Sequence, residues 1–178
     1  MNTPWPWAKD FVFDPHRARD LRPGCIADIE ALPARVREAV LGLTDAQVDT
    51  PYRAGGWTVR QVVHHLADSH LHAYARTKWA LTEDEPVIKP YEQDRWAALA
   101  DARTLPLEPS LRLLEGLHER WAALLRTLNA TDWQREFTHP ELPAGKNKLR
   151  LDWILQHYAW HGERHVGQIE TLRKEKGW

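Results

Sequence analysis

Residues Leu149 to Lys176 read LRLDWILQHYAWHGERHVGQIETLRKEK. Within them Leu151, Ile154, Tyr158, His161, His165, Gln168 and Leu172 recur at alternating intervals of three and four, the spacing that lines one face of an α-helix. Gly177 stands where a helix stop is expected. The seam is apolar at both ends and polar in the middle, where two imidazoles take core positions.

Three more periodic segments lie upstream. Thr138 to Lys148 holds Pro140, Pro143 and Gly145 and reads as a loop. Before it, Leu114, Leu117, Trp121, Leu124 and Leu128 form a second seam, with Ser110 expected to cap the helix after Pro106 and Pro109. Earlier still, Thr58 and Gln61 make a capping box for a helix whose stripe is Val59, Val62, Leu66, Ser69, Ala73 and Arg76. Pro86 and Pro90 end that helix, and Tyr91 to Ala102 has room for a short one. From Cys25 to Leu43 the apolar positions are Ile26, Ile29, Leu32, Val36, Val40 and Leu43. Pro33 either opens this helix as a first-turn residue or sits within it at a kink. Met1 to Gly24, with Pro4, Trp5, Pro6, Trp7, Pro15 and Pro23, reads as an extended arm packed on the core. No run alternates apolar and polar residues over strand length and no hairpin signal separates apolar stretches. The expectation is an all-α four-helix bundle: one domain over residues 1–178, with 1–24 as its arm.

Composition narrows the function. A chain of 178 residues suits one core. Its 24 Lys and Arg against 25 Asp and Glu leave a net charge of -1, which encodes no attraction to nucleic acid or anionic membrane. No stretch approaches the roughly 20 apolar residues that span a bilayer. Cys25, the single cysteine, excludes an internal disulfide and a multi-thiolate metal site. The first 15 residues lack the pattern of a signal peptide, so a cytoplasmic setting is expected.

Ten histidines remain to be explained. His161 and His165, four apart, project side by side from one helical face. Buried without partners, each unsatisfied ring would cost about 1–3 kcal/mol; a shared divalent ion removes that cost and calls for a third ligand. His65 is the best candidate, because it borders the apolar stripe of the second long helix, whereas His64 is rotated by about 100° and is expected to face outward. His70 lies on the far side of the stripe. His70, His72, His118 and His157 could close a fourth position, but each is expected to be a helix-surface or locally hydrogen-bonded histidine. Gly162 stands where the zincin motif has Glu, so an adjacent general base is missing. Glu163 and Arg164 read as a solvated face. Asp68, three residues after His65, is a candidate to orient a ligand ring or serve as a base. Trp57, Trp121 and Trp160 read as packing residues, with Trp160 the one near enough to His161 to wall a pocket.

The stretches Thr50 to His70, TPYRAGGWTVRQVVHHLADSH, and Tyr158 to His165, YAWHGERH, closely resemble the YfiT branch of the DinB superfamily. The likeness extends through Lys78 to Glu83, Pro90-Tyr91 and Leu117 to Leu128, covering nearly the whole chain. It implies an up-down-down-up four-helix bundle, a homodimer in the cytoplasm, and one zinc or nickel ion per subunit held by His65, His161 and His165. It also implies a metal-dependent hydrolase, or an S-transferase that uses a small thiol such as bacillithiol. The sequence departs from the branch at Gly162, Glu163 and Arg164, where the relatives are richer in histidine.

Three neutral imidazoles leave a divalent ion its full charge, which acidifies a coordinated water or thiol. Hydrolysis of an ester or amide and transfer from a thiol to an electrophilic carbon both suit this chemistry. A non-catalytic protein stapled by its metal is the third reading, and structural zinc would normally take four protein ligands.

Overall fold

The computed structural model describes residues 10–178; the first nine residues of the expected arm lie outside them. Helix α1 spans Ala18–Val40, α2 Asp45–Val48, α3 Val59–Thr82, α4 Gln93–Ala97, α5 Ala100–Thr104, α6 Glu108–Thr127 and α7 Leu151–Lys176. The four long helices α1, α3, α6 and α7 form the bundle, and α7 ends at Gly177 in the left-handed conformation (φ 69°). Among the described residues no helix is long and apolar enough to cross a membrane.

Side-chain pairs fix the helix directions. Arg22 meets Asp152 and Arg173 reaches the Ala39 carbonyl, so α1 and α7 run parallel. Glu30 pairs with Arg126 and Arg37 with Glu108, so α6 runs against α1. His64 meets Ser110 and His70 stacks on His118, so α3 runs with α6. The order is up, down, down, up. Because α3 and α6 are parallel neighbours, residues 83–107 must return along the length of the bundle to join them.

Two apolar clusters fill the interior. One gathers Ile26, Ile29, Trp121, Leu125, Ile154 and Leu155; the other gathers Leu32, Val36, Val62, Leu66, Leu114 and Ile169. Between them, at the waist of the bundle, three of the four helices turn polar: His65, Ser69 and His70 on α3, His118 on α6, and the half-buried His161 with His165 on α7. The polar middle of the α7 seam therefore belongs to a layer that crosses the whole molecule.

Three expectations need correction, and the alternative at Pro33 is decided. The arm is shorter than 1–24, because Ala18–Gly24 form the first turns of α1 with Pro23 inside the helix. The described part of the arm packs on α7, where Asp14 exchanges two hydrogen bonds with Gln156 and Phe11 lies against His157. α1 runs through Pro33, whose missing N–H leaves the Ile29 carbonyl free; the His118 Nδ1–H donates to that carbonyl from α6. Ser110 does not cap α6, which starts at Glu108 with Pro109 in its first turn. Finally, Glu136–Thr138 and Lys148–Arg150 pair as a two-stranded antiparallel ribbon, with Phe137 opposite Leu149. Three-residue strands are too short to show alternation, and this ribbon is held by outside bonds such as Ile88 N–H to the Thr138 carbonyl (3.0 Å). The Thr58–Gln61 capping box at the start of α3 is present as expected.

Candidate metal centre

The capping box sets the start of α3 and hence the angle at which its side chains leave the helix. His65, two turns in, faces α7 and is 4% exposed. There its Nε2 lies 3.3 Å from Nε2 of His161, which lies 3.2 Å from Nε2 of His165. All three nitrogens fall within 4.8 Å of one another, and among the described residues no other His, Cys, Asp or Glu joins the trio. Two imidazole ligands at 2.0–2.1 Å from one tetrahedral ion would stand about 3.4 Å apart, close to the spacing observed.

The opposite ring nitrogens are each occupied. Nδ1 of His165 meets Oε1 of Gln168 (2.8 Å), Nδ1 of His161 meets Nε2 of His70 (3.1 Å), and Nδ1 of His65 meets the Tyr91 hydroxyl (3.5 Å). With Nδ1–H donating to these partners, three Nε2 lone pairs face one another. Mutual repulsion of that kind is relieved by a cation placed among them, and neutral imidazoles suit a divalent transition ion. Burial, reinforced by the neighbouring rings, holds His65 and His161 well below the usual histidine range. Burial pushes His165 down to about 4, against the opposing pull of Gln168. The rings are thus neutral ligands at neutral pH.

The trio opens onto a cavity of about 810 Å³. Trp57, Tyr91, Trp160 and Arg164 line it beside the rings, and Arg76, His139 and His157 line it further along. Trp160 is the pocket wall that the sequence suggested. Trp57 packs on His65, with ring centroids 4.6 Å apart, and Trp121 is core. Arg164 is not simply solvated; it lies over Trp160 at 5.1 Å. Glu163 is exposed and pairs with Arg35. Gly162 has a steric reason: a Cβ there would stand 2.6 and 2.8 Å from the two Leu32 methyls, so the zincin glutamate has no room.

Several histidines differ from expectation. His64 is buried, not outward: Nε2–H donates to the Leu105 carbonyl and Nδ1 faces the Ser110 hydroxyl at 2.7 Å. His70 and His118 are fully buried rather than on a helix surface, and their rings stack at 4.9 Å. His72 stacks on Tyr91 and His157 on Trp153. Asp68 makes no hydrogen bond to the trio among the described residues; burial and the nearby Asp101 push it up to about 6. The residues that orient the rings are Gln168, His70 and Tyr91. Gln168 was visible as a polar member of the α7 seam, whereas Tyr91 sits in an irregular segment with no periodic signal.

Replacing Gln168 with Leu is expected to weaken zinc binding about 10- to 100-fold without loss of helix, because the His165 ring loses the acceptor that orients it. Competition against a chromophoric chelator measures this; an affinity unchanged from the parent would deny Gln168 that role.

Comparison with known proteins gives the family. The DinB superfamily model matches residues 28–169. A protein of Geobacillus thermodenitrificans named "Putative metal-dependent hydrolase" is 55% identical over 162 residues, 91% of this chain and 89% of its own. The Bacillus subtilis protein YfiT, which carries the same name, is 48% identical over 150 residues, 84% of this chain and 83% of its own. The solved structure of YfiT from Bacillus subtilis, described as a probable metal-dependent hydrolase with an unusual four-helix bundle topology, superposes with a TM-score of 0.92 at 42% identity, covering 98% of each chain. This chain belongs to the DinB superfamily, in its YfiT-like branch.

Proposed function

We propose that this protein is a divalent-metal-dependent enzyme, with His65, His161 and His165 as the ligands and hydrolysis of an ester, amide or similar electrophile as its reaction. The observation that carries this reading is the three-nitrogen cluster on the wall of a cavity large enough for a small organic substrate. Zinc or nickel bound there would supply a positive centre that acidifies a water or thiol and polarises the electrophile. The chain's own residues do the rest. Gln168, His70 and Tyr91 hold the rings in one tautomer, Trp57 and Trp160 form apolar wall beside them, and the names of the relatives point to the same class of chemistry.

A second reading, transfer from a small thiol, is favoured by one observation. Among the described residues no carboxylate is hydrogen-bonded to the trio, so a base for activating water is not in place, and a thiol ionises with less help. The test is to load the protein with zinc and, separately, nickel and incubate it with activated esters and with an electrophilic aromatic chloride, each with and without small thiols. Ester turnover without thiol is the expected result. Adducts formed only when thiol is present would move the assignment to transferase. Absence of both, with metal bound, would overturn the enzymatic reading in favour of a metal-stapled helical protein.

A further inference from the structure

Among the described residues two guanidinium groups are buried, Arg60 and Arg76, and their surroundings differ. Arg60 is held by Asp49 at 2.7 Å and Asp45 at 3.3 Å, and Arg22 by both oxygens of Asp152 at 2.7 and 2.8 Å. Arg76 is 9% exposed, yet among the described residues no carboxylate lies within ion-pair distance. Its two hydrogen bonds go to neutral acceptors, the Tyr158 hydroxyl (3.4 Å) and the Lys89 carbonyl (3.2 Å), and its Nε is buried without a partner. A full charge out of water with no counter-charge is a costly arrangement that an anionic ligand relieves.

Two further nitrogens are in the same condition. Nδ1 of His139 and Nδ1 of His157 are buried without partners, and both residues line the cavity with Arg76. In the tautomer protonated at Nδ1, each ring presents an N–H donor at that unpartnered position. Glu141, whose charge reaches His139, is exposed and also lines the cavity. A metal is unsuited to this cluster, because the guanidinium repels it. Planar carboxylate oxygens suit it, since Arg presents its donors as a fork. The cluster is close to the trio: His157 lies one helical turn before His161, with ring centroids 6.0 Å apart.

We infer that Arg76, His139 and His157 form a carboxylate-binding subsite, so the molecule that reacts at the trio is an organic acid whose carboxylate lies about one helical turn from its reacting group. This rests on the proposed function for the reacting end only; the carboxylate could belong to an ester substrate or to a thiol. The subsite itself does not require metal.

The experiment has two arms. In the first, metal-free protein is titrated calorimetrically with glutarate and adipate, and an Arg76→Gln variant is titrated alongside. Binding that falls at least tenfold in the variant is expected; equal binding, or none to the parent, overturns the subsite. In the second, zinc-loaded protein is titrated with ω-mercaptoalkanoates of two to five methylenes and with mercaptoalkanols of equal length, and KM is compared for half-esters of dicarboxylic acids and neutral esters of equal size. A tenfold or greater preference for the acid at one chain length, in the thiol or in the ester series, is expected and assigns the carboxylate to that partner. Equal affinity for acid and alcohol, together with equal KM for half-ester and neutral ester, overturns the proposal from the parent protein alone. Should Arg76→Gln fail to fold, His157→Phe and the parent comparisons decide. Dicarboxylate binding without metal, accompanied by no thiol binding or ester turnover with it, keeps the subsite and overturns only the reading of the trio.

Discussion

Changing His161 to Ala is expected to lower zinc affinity about 10²- to 10³-fold and to abolish metal-dependent turnover. His161 is the middle ring: its Nε2 lies 3.3 Å from that of His65 and 3.2 Å from that of His165, so its loss leaves two ligands where there were three. Structural zinc sites with four ligands gain about 10–16 kcal/mol in all, or about 2.5–4 kcal/mol per ligand, which converts to that range. The substitution also strands Nε2 of His70, at a cost of about 1–3 kcal/mol of stability. The bundle should survive, since both apolar clusters remain on either side of the polar waist. Chelator competition reads the affinity and far-UV circular dichroism reads the helix. Undiminished zinc binding would remove the trio as the metal site, and collapse of the helical signal on metal loss would favour the stapling role.

The second large effect is acid unfolding of the metal-free protein. Burial pushes His118, His157 and His165 down to about 4 and holds His65, His70 and His161 well below the usual range. In the unfolded chain all six titrate near 6.5. Between pH 6.5 and 4 the unfolded state therefore binds more protons, and native stability falls as the pH falls. Each such group removes up to about 1.4 kcal/mol per pH unit, against a total stability of about 5–15 kcal/mol for a domain. A cooperative transition with its midpoint between pH 4 and 6 is expected by circular dichroism, displaced to lower pH by saturating zinc. A metal-free protein still folded below pH 4 would contradict the buried neutral histidines.

What the sequence made legible was periodicity and what it concealed was contact across helices. The four bundle helices span 20 to 26 residues, long enough for the three-and-four repeat to stand out. His161 and His165 could be placed on one face because they are one turn apart on one helix, and His65 because it borders a stripe. Pro23 read as part of an extended arm and Pro33 left two helix starts open, yet both lie inside α1; the donor that accommodates Pro33 comes from His118, 85 positions away along the chain and invisible to any local window. His70, placed on the far side of the stripe, was expected to be helix-surface or locally hydrogen-bonded, whereas α3 is covered by both α6 and α7. Asp68 was favoured by proximity in sequence, and the structure places Tyr91, from a distant loop, where that role is filled.

Residues 83–107 are obliged by the winding of the bundle, since parallel α3 and α6 cannot be joined by a tight turn. The same span brings Pro90, Tyr91 and Arg95 to the cavity and so furnishes part of its roof. Scaffold and selectivity are thereby uncoupled. Insertions or exchanges in this overhand strap reshape what the pocket admits, while the four-rod frame and its cation cradle stay in register, which leaves descendants of one ancestor free to diverge in diet without refolding.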